Sequence, residues 1–296
     1  MGESVSGWVL RPMRPEDVAA AERLSARSFL EVDRRELSRS APEPEERPAA
    51  RAAGWVERTT SLLSTDAGGC WVAEDESGLL GIAVSTTREL LWSLATYAVR
   101  PDAQGRGIGT QLLAAALHHG RGCLRGMIAS SSDPRALRRY RLAGFSVHPQ
   151  LIATGGLDRT AIPVIEKVRE AGLSDRDLMD SVDRQTRGAA RGSDHDLLAR
   201  QDRALVSDSP TGSGYVYAGG GRVSALAATN RRTASMLLWA ALADSRDPVA
   251  LAHVTAANEW ALDVALAARL EVRTDGYLCL RGMRPPTPYL HHGALL

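Results

Sequence analysis

Apolar residues along this chain fall in short runs broken by proline, glycine and polar clusters, and the period of each run assigns an element. Trp8 to Arg11 reads as a short strand. Pro15 then opens a helix, with Asp17 in its first turn and alanine-rich apolar spacing through Phe29. The polar, proline-bearing stretch Ser38 to Pro48 reads as a loop, and Ala49 to Leu63 as a second helix. Three strands follow: Cys70 to Glu74, Leu79 to Thr86 and Leu90 to Val99, the first two joined by a turn at Glu76-Ser77-Gly78. Pro101 stops the third strand, because proline has no N–H for a ladder. A helix from Gly107 to about His119 places Ile108, Leu112, Ala115 and His119 on one face. Leu124 to Ala129 is a strand; Asp133 and Pro134 then start a helix that ends near Gly144, before a final strand.

Beyond Pro149 the order of elements recurs. Ser174 to Thr186 and Ser193 to Asp202 read as helices. Ala204 to Asp208, Gly214 to Ala218 and Arg222 to Thr229 read as three strands on short turns. Thr233 to Ala243 is an apolar helix, Val249 to Thr255 a strand, Asn258 to Leu270 a helix and Gly276 to Arg281 a strand. The pattern predicts an α/β chain of two lobes, 1–150 and 151–296, each a mixed, mostly antiparallel sheet flanked by helices.

Composition narrows the partners. The 36 basic and 35 acidic residues leave a net charge of +1, so no basic surface for nucleic acid is expected. The longest apolar run, Ser235 to Ala243, is far short of the roughly 20 residues that cross a bilayer, so no membrane partner is expected. The N-terminus lacks a basic segment followed by an apolar one, which points to a cytoplasmic protein. Met1-Gly2 with Ser6 fits a loose myristoylation pattern. Lys167 is the single lysine among many arginines and alanines, a bias of GC-rich bacterial genomes in which that modification is not expected. Cys70, Cys123 and Cys279 have no CxxC spacing and lie in or beside strands, as buried reduced thiols would.

The most informative segment is Val99-Arg100-Pro101-Asp102-Ala103-Gln104-Gly105-Arg106-Gly107-Ile108-Gly109-Thr110. A strand ends, a glycine-rich turn follows and a helix begins. Such a turn gathers backbone N–H groups at the positive end of a helix, which suits a diphosphate, and Arg106 adds a charge. A P-loop would end in Gly-Lys-Ser/Thr, and a Rossmann loop would follow the first strand. Neither fits. The segment V-x-P-x-x-Q-G-x-G-I-G resembles the acetyl-CoA motif of the GNAT superfamily of N-acyltransferases, and with the element order the resemblance spans residues 8 to 149. It implies acetyl-CoA as co-substrate and no metal. Pantetheine would pair with the backbone near Ala98 and Val99, between the strands ending at Val99 and Ala129. Gln104, Gly105, Arg106, Gly107, Ile108, Gly109 and Thr110 would hold the pyrophosphate.

A second motif, Ala136 to Phe145, resembles the family's A-x-x-x-Y-x-x-x-G-F helix. The resemblance makes Tyr140 the acid that protonates the departing CoA thiolate. A phenol of pKa about 10 remains protonated at neutral pH and can serve a thiol of pKa about 8.5. The plainer alternative is a tyrosine packed under the sheet. The implied reaction is acetyl transfer to a primary amine by direct attack; the alternative is a non-catalytic acyl-CoA-binding or regulatory module. Where family members often place a glutamate base, this chain has Ser93. Glu31, Asp33 and Glu36, placed after the first helix, and Glu89 are the remaining carboxylate candidates, each better read as solvated surface. The acceptor amine and the oligomeric state, including a homodimer, stay open.

In the second half the motifs fade. Asn230-Arg231-Arg232-Thr233-Ala234 has no glycine. Ala261 to Leu270 aligns with Ala136 to Phe145, placing Ala265 at Tyr140 and Arg269-Leu270 at Gly144-Phe145. The second lobe thus resembles a degenerate GNAT copy that binds no CoA. Asp194-His195-Asp196 reads as a helix start capped by Ser193 rather than a metal site. His118-His119 and His291-His292 lack the spacing of a shared metal site. The stiff tail Pro285 to Leu290 either docks on the body or extends.

Overall fold

The computed structural model describes residues 7–36, 43–246 and 248–296. Met1, Gly2 and Ser6 of the myristoylation pattern, and the first part of the predicted 38–48 loop, lie outside them. The chain forms two compact units. One comprises its described residues up to Thr87 together with Trp92–Cys123; the other comprises Arg88–Leu91 and Leu124–Leu296.

The first unit holds β1 (Val9–Pro12), α1 (Val18–Glu36), α2 (Ala49–Thr65), β2 (Cys70–Asp75), β3 (Gly78–Arg88, its last residue excepted), β4 (Leu91–Val99, its first residue excepted) and α3 (Ile108–His119). Its strands lie in the order β1-β2-β3-β4, with β1 antiparallel to β2 and β2 to β3. Pro15–Asp17 forms one 3-10 turn before α1, and α1 runs to Glu36 rather than stopping near Phe29. Arg34 and Arg35 sit in its last turn, where cations favour the helix end, and Arg35 bonds Glu31 one turn back at 3.0 Å. Glu31, Asp33 and Glu36 therefore lie on this helix and not beyond it. The buried stripe of α3 is Ile108, Leu112 and Ala116 with Gly109 and Leu113; Ala115 and His119 are only half-buried. The indole N–H of fully buried Trp92 donates to Ala116 O at 2.9 Å, and Gly120 leaves room for the ring.

The second unit holds β5 (Arg125–Ser130), α4 (Pro134–Leu142), β6 (Ser146–Gly155), β7 (Arg169–Glu170), α5 (Arg176–Thr186), α6 (Asp194–Gln201), β8 (Arg203–Ser209), β9 (Gly212–Gly219), β10 (Arg222–Ala228), α7 (Arg231–Ala243), β11 (Val249–Thr255), α8 (Glu259–Ala267), β12 (Glu271–Arg281) and β13 (Tyr289–Leu290). The strand order is β5-β12-β6-β11-β10-β9-β8-β7, with β13 on β10. β10 and β11 run parallel; the pairs of β12 with β5 and β6 are antiparallel. The sheet is thus mixed and flanked by helices. Leu237, Leu238, Leu251, Val254, Trp260 and Val264 are among the residues that fill its core.

The compact units do not divide at residue 150. β12, late in the chain, is hydrogen-bonded on one side to β5 and on the other to β6, so residues 124–155 are tied to the second half by ladders. Pairing partners far apart in sequence carry no local signal, and a boundary read from element order misses them.

The repeat in element order extends to geometry. In the first half Arg11 grips Asp17 through both terminal nitrogens at 2.7 and 2.9 Å, and Asp17 accepts the Arg14 N–H at 2.7 Å. In the second half Arg169 grips Asp175 at 2.8 and 2.6 Å, and Asp175 accepts the Gly172 N–H at 2.8 Å. Each pair joins a strand to the single 3-10 turn that starts the next helix. The shared spacing, an arginine six residues before an aspartate, is present in the sequence, but only the fold gives the two pairs the same place.

The tail docks. Tyr289 and Leu290 pair with Ala227 and Leu226. Asn258 accepts the Tyr289 N–H at 2.9 Å and donates to Pro286 O at 3.0 Å. Buried His291 stacks on His253, ring centres 4.3 Å apart, and faces Gln150; burial holds its imidazole well below the ordinary histidine range.

Candidate functional site

The loop after β4 is built by its glycines. Pro101–Ala103 forms a 3-10 turn, and Gln104 folds back so that its amide donates to Val99 O at 3.0 Å. Gly105 and Gly107 then adopt φ of 83° and 80°, a region that side chains rarely enter. A Cβ at either would meet nothing within 4 Å, so both face open space. Gly107 is the N-cap of α3 and offers no side-chain cap. Among the described residues, the five successive N–H groups of Gly105 to Gly109 have no hydrogen-bond acceptor, whereas the Thr110 N–H donates to Gly107 O at 3.0 Å. Five unpaired N–H groups at a positive helix end are what an anion of several oxygens needs.

The other expected contacts are placed as follows. Arg106 is largely exposed and lies 3.8 Å from Asp75, a weak ion pair that leaves its guanidinium movable. Tyr97 steadies the loop from below, its hydroxyl donating to Gly109 O at 2.7 Å. Ala98 and Val99 end β4, but Val99 O already accepts from Gln104 and, at 3.5 Å, from the Ser28 hydroxyl. Ser93 is buried in the middle of β4.

In the second unit, α4 starts at Asp133, whose carboxylate accepts the Arg135 N–H at 2.9 Å. Tyr140 is 4% exposed, so its ring is set by packing rather than solvent. The helix closes by a Schellman motif: Phe145 N–H to Tyr140 O at 3.0 Å and Gly144 N–H to Arg141 O at 3.1 Å, with Gly144 at φ 86°. The tyrosine's own carbonyl thus anchors the turn that follows it, which is why a G-F pair sits four residues downstream.

Two of the carboxylate candidates have partners. Glu31 is paired with Arg35. Glu89 accepts from Arg184 at 2.8 Å and from the Ala190 N–H at 3.2 Å, and the Arg184 bond holds its carboxyl below the usual range. An ionised, paired carboxylate of lowered pKa makes a poor general base.

The triplet Asp194-His195-Asp196 diverges. Asp194 takes both ends of Arg88 at 2.6 and 2.8 Å, and Asp196 pairs with Arg176. His195 is fully buried, with Nδ1 at 3.1 Å from the Tyr217 hydroxyl and Nε2 at 3.4 Å from both Asp180 and Asp183. Asp183 Oδ2 and His195 Nε2 have no other hydrogen-bond partner. Arg191 and Arg187 lie 3.4 and 4.0 Å from the Asp183 carboxylate, so the positive charge a cation would bring is already there. Ser193 precedes the helix but makes no side-chain cap. His119 is turned to Asp66 at 3.5 Å. Cys70 and Cys279 are buried free thiols pushed up to about 12 by burial, while Cys123 is only half-buried.

Residues 29–145 match the model of the acetyltransferase (GNAT) family. The glycine loop after β4 and the helix α4 both lie inside that match. The fold of the whole chain is similar to that of a Pyrococcus horikoshii protein provisionally named an acetyltransferase: TM-score 0.75, 16% identity, covering 100% of this chain and 96% of that one. It is also similar to GCN5-related N-acetyltransferases from Sphaerobacter thermophilus (TM-score 0.59, 19% identity, 93% of this chain and 95% of that one) and from Kribbella flavida (0.58, 15%, 94% and 72%). No curated protein matches the chain significantly in sequence. No described helix is long and apolar enough to cross a membrane.

Proposed function

We propose that the chain is an acetyl-CoA-dependent N-acetyltransferase that acts on a primary amine by direct attack. The observation that carries this is the row of five unpaired N–H groups from Gly105 to Gly109, inside the segment that matches the GNAT model. In this reading residues 104–110 hold the diphosphate, and bound CoA supplies the acyl thioester. Arg106 swings from Asp75 to add charge, and the β4 backbone at Ala98 and Val99 guides the pantetheine chain. Tyr140 donates a proton to the leaving thiolate. Residues 1–150 and 151–296 are then tandem lobes, the second degenerate; the matched Arg11–Asp17 and Arg169–Asp175 grips support that division. A bacterial cytoplasm, rich in amines and acetyl-CoA, suits the chemistry.

Glu89 and Glu31 are paired with arginines and Ser93 cannot serve unaided, which argues against these three as the base. In this reading the acceptor arrives neutral or loses its proton through water. Buried Ser93 also favours a second reading, a regulatory module that binds acyl-CoA without turnover. Thiol release from acetyl-CoA across an amine panel separates the two. Turnover that falls in Tyr140→Phe supports the transferase; CoA binding with no turnover on any amine supports the module.

A further inference from the structure

In the second unit the chain supplies a strand to its own sheet at one particular place. β10 leads into α7 and then β11, in the order in which β4 leads into α3 and then β5. β10 and β11 pair in parallel at Arg222–Ala250 and Val223–Leu251, and among the described residues no further pair joins them. Past that point β10 takes another partner. Leu226 and Ala227 pair antiparallel with Leu290 and Tyr289 of β13, and the Ala228 N–H donates to Pro288 O at 3.2 Å. The same segment meets β11, where His291 stacks on His253. His253 holds φ 65° at the point where the ladder of β11 with β6 shifts register. Leu290 lies in one apolar core with Leu226 of β10 and with Leu251 and Val254 of β11. The grip takes an extended backbone and one phenol. Asn258, which starts α8, binds Tyr289 N–H and Pro286 O, and the Thr287 hydroxyl donates to Ala257 O at 2.8 Å. Buried Arg191 donates to the Tyr289 hydroxyl at 2.6 Å and also to Leu295 O.

We propose that the place where β10 and β11 part is a binding site for an extended peptide, and that residues 285–296 are its resident ligand, standing where pantetheine lies on β4. The inference rests on the tandem-lobe, acetyl-transfer reading, in which Ala98 and Val99, the last two residues of β4, guide the pantetheine arm. Ala227 and Ala228 are the last two residues of β10, and they hold Tyr289 and Pro288 instead. Pantetheine is an extended arm with two amides, and a peptide strand offers a sheet the same donors and acceptors. A peptide needs no diphosphate cradle. Its presence therefore agrees with Asn230, whose side chain caps α7 where α3 has a glycine.

The test uses the full chain. Tyr289→Gly with Leu290→Gly removes the side chains that anchor the resident strand. A fluorescein-labelled peptide of residues 285–296 is titrated by anisotropy into wild type and into this double variant, both saturated with CoA. Thermal melts and CoA affinity show whether the variant is folded. The peptide should bind the double variant one to one and leave wild type, whose site is filled, unbound. A peptide carrying Tyr289→Gly should bind at least about 10-fold more weakly, as loss of a buried aromatic anchor does. No peptide binding to the folded double variant, equal binding of the two peptides, or equal binding to wild type would each overturn the proposal. So would a second CoA on the folded double variant, because the site would then still take a cofactor. If the double variant does not fold, Tyr289→Phe decides. Loss of the Arg191 bond should speed amide hydrogen exchange at Ala228 and at residue 289 together by about 10-fold or more relative to Val216 of β9, and unchanged exchange overturns the proposal. If wild type binds no CoA, the acetyl-transfer reading fails by itself, and the peptide titration without CoA alone decides whether the site takes a strand.

Discussion

Two helices in this chain begin just after a β-strand, and they treat their first N–H groups in opposite ways. α3 starts at Gly107, which has no side chain to cap it, and the five N–H groups from Gly105 to Gly109 stay open. α7 starts at Asn230, whose side-chain oxygen accepts the Thr233 N–H at 3.0 Å while its amide donates to Thr211 O at 2.9 Å. At one helix end five N–H groups lack an acceptor among the described residues; at the other the capping side chain takes one N–H. The two helices α4 and α8 make the complementary comparison. α8 closes as α4 does, with Leu270 N–H to Ala265 O and Arg269 N–H to Leu266 O, both at 3.0 Å. Yet Ala265 stands where α4 has Tyr140, and Arg269 holds φ 59° where α4 has a glycine. The backbone closure recurs, while the tyrosine and the glycine do not.

The sharpest way to break this comparison is at the acid. Tyr140→Phe should keep the fold and CoA affinity but lower kcat by about 10²–10⁴-fold. The pair Tyr140→Phe with Ala265→Tyr should not regain it; rescue in single-turnover thiol release would show that the second motif still serves a coenzyme. Next comes the loop. Gly107→Glu forces a side chain into a left-handed position and sets a negative charge beside the open N–H groups. CoA affinity measured by calorimetry should drop by about 10-fold or more, since the added carboxylate repels the diphosphate and loss of even one charge-assisted hydrogen bond costs about 1.5–3 kcal/mol. The wild-type stoichiometry should be one CoA per chain, and two would erase the distinction between α3 and α7.

Smaller effects refine the comparison through stability. Asn230→Ala removes the cap of α7 and should cost about 1 kcal/mol in urea melts, with CoA binding unchanged. Arg269→Gly relieves a strained φ and should stabilise by about 1 kcal/mol or less, whereas Gly144→Ala should destabilise by a similar amount. The Arg169 bond holds the Asp175 carboxyl down at about 2, below its ordinary 3.8. A depressed pKa contributes stability above about pH 4 that is lost as pH falls from about 4 to 2. Asp175→Asn should flatten that part of the acid limb in a pH series of thermal melts, by little, since Arg169 is more than half exposed.

Most elements were legible because their signals are local. β2 starts at Cys70, α2 at Ala49 and β11 spans Val249–Thr255, all as the apolar periods and stop residues indicate. The glycine loop was legible for the same reason, since a left-handed turn needs glycine at the residue itself. What stayed hidden depends on partners far along the chain. The two-residue strands β7 and β13 are too short to show a period. The docking of Tyr289 rests on Ala227, Asn258 and Arg191, none of them near in sequence. His195 sits beside two aspartates in the chain, yet the aspartates it faces are Asp180 and Asp183, because helix packing turns it inward.

By itself, then, the sequence determined the order and type of the longer elements, the glycine turn before α3 and the absence of both motifs from the second half. These follow from backbone preferences and hydrophobic period, which act within a few residues. Tertiary structure alone decided that β12 lies between β5 and β6, that Glu89 is claimed by Arg184, and that Asn258 holds the docked tail at Tyr289. Strand pairing and charge pairing are settled by which groups packing brings together, and a residue's type fixes what it can bond but not what it meets.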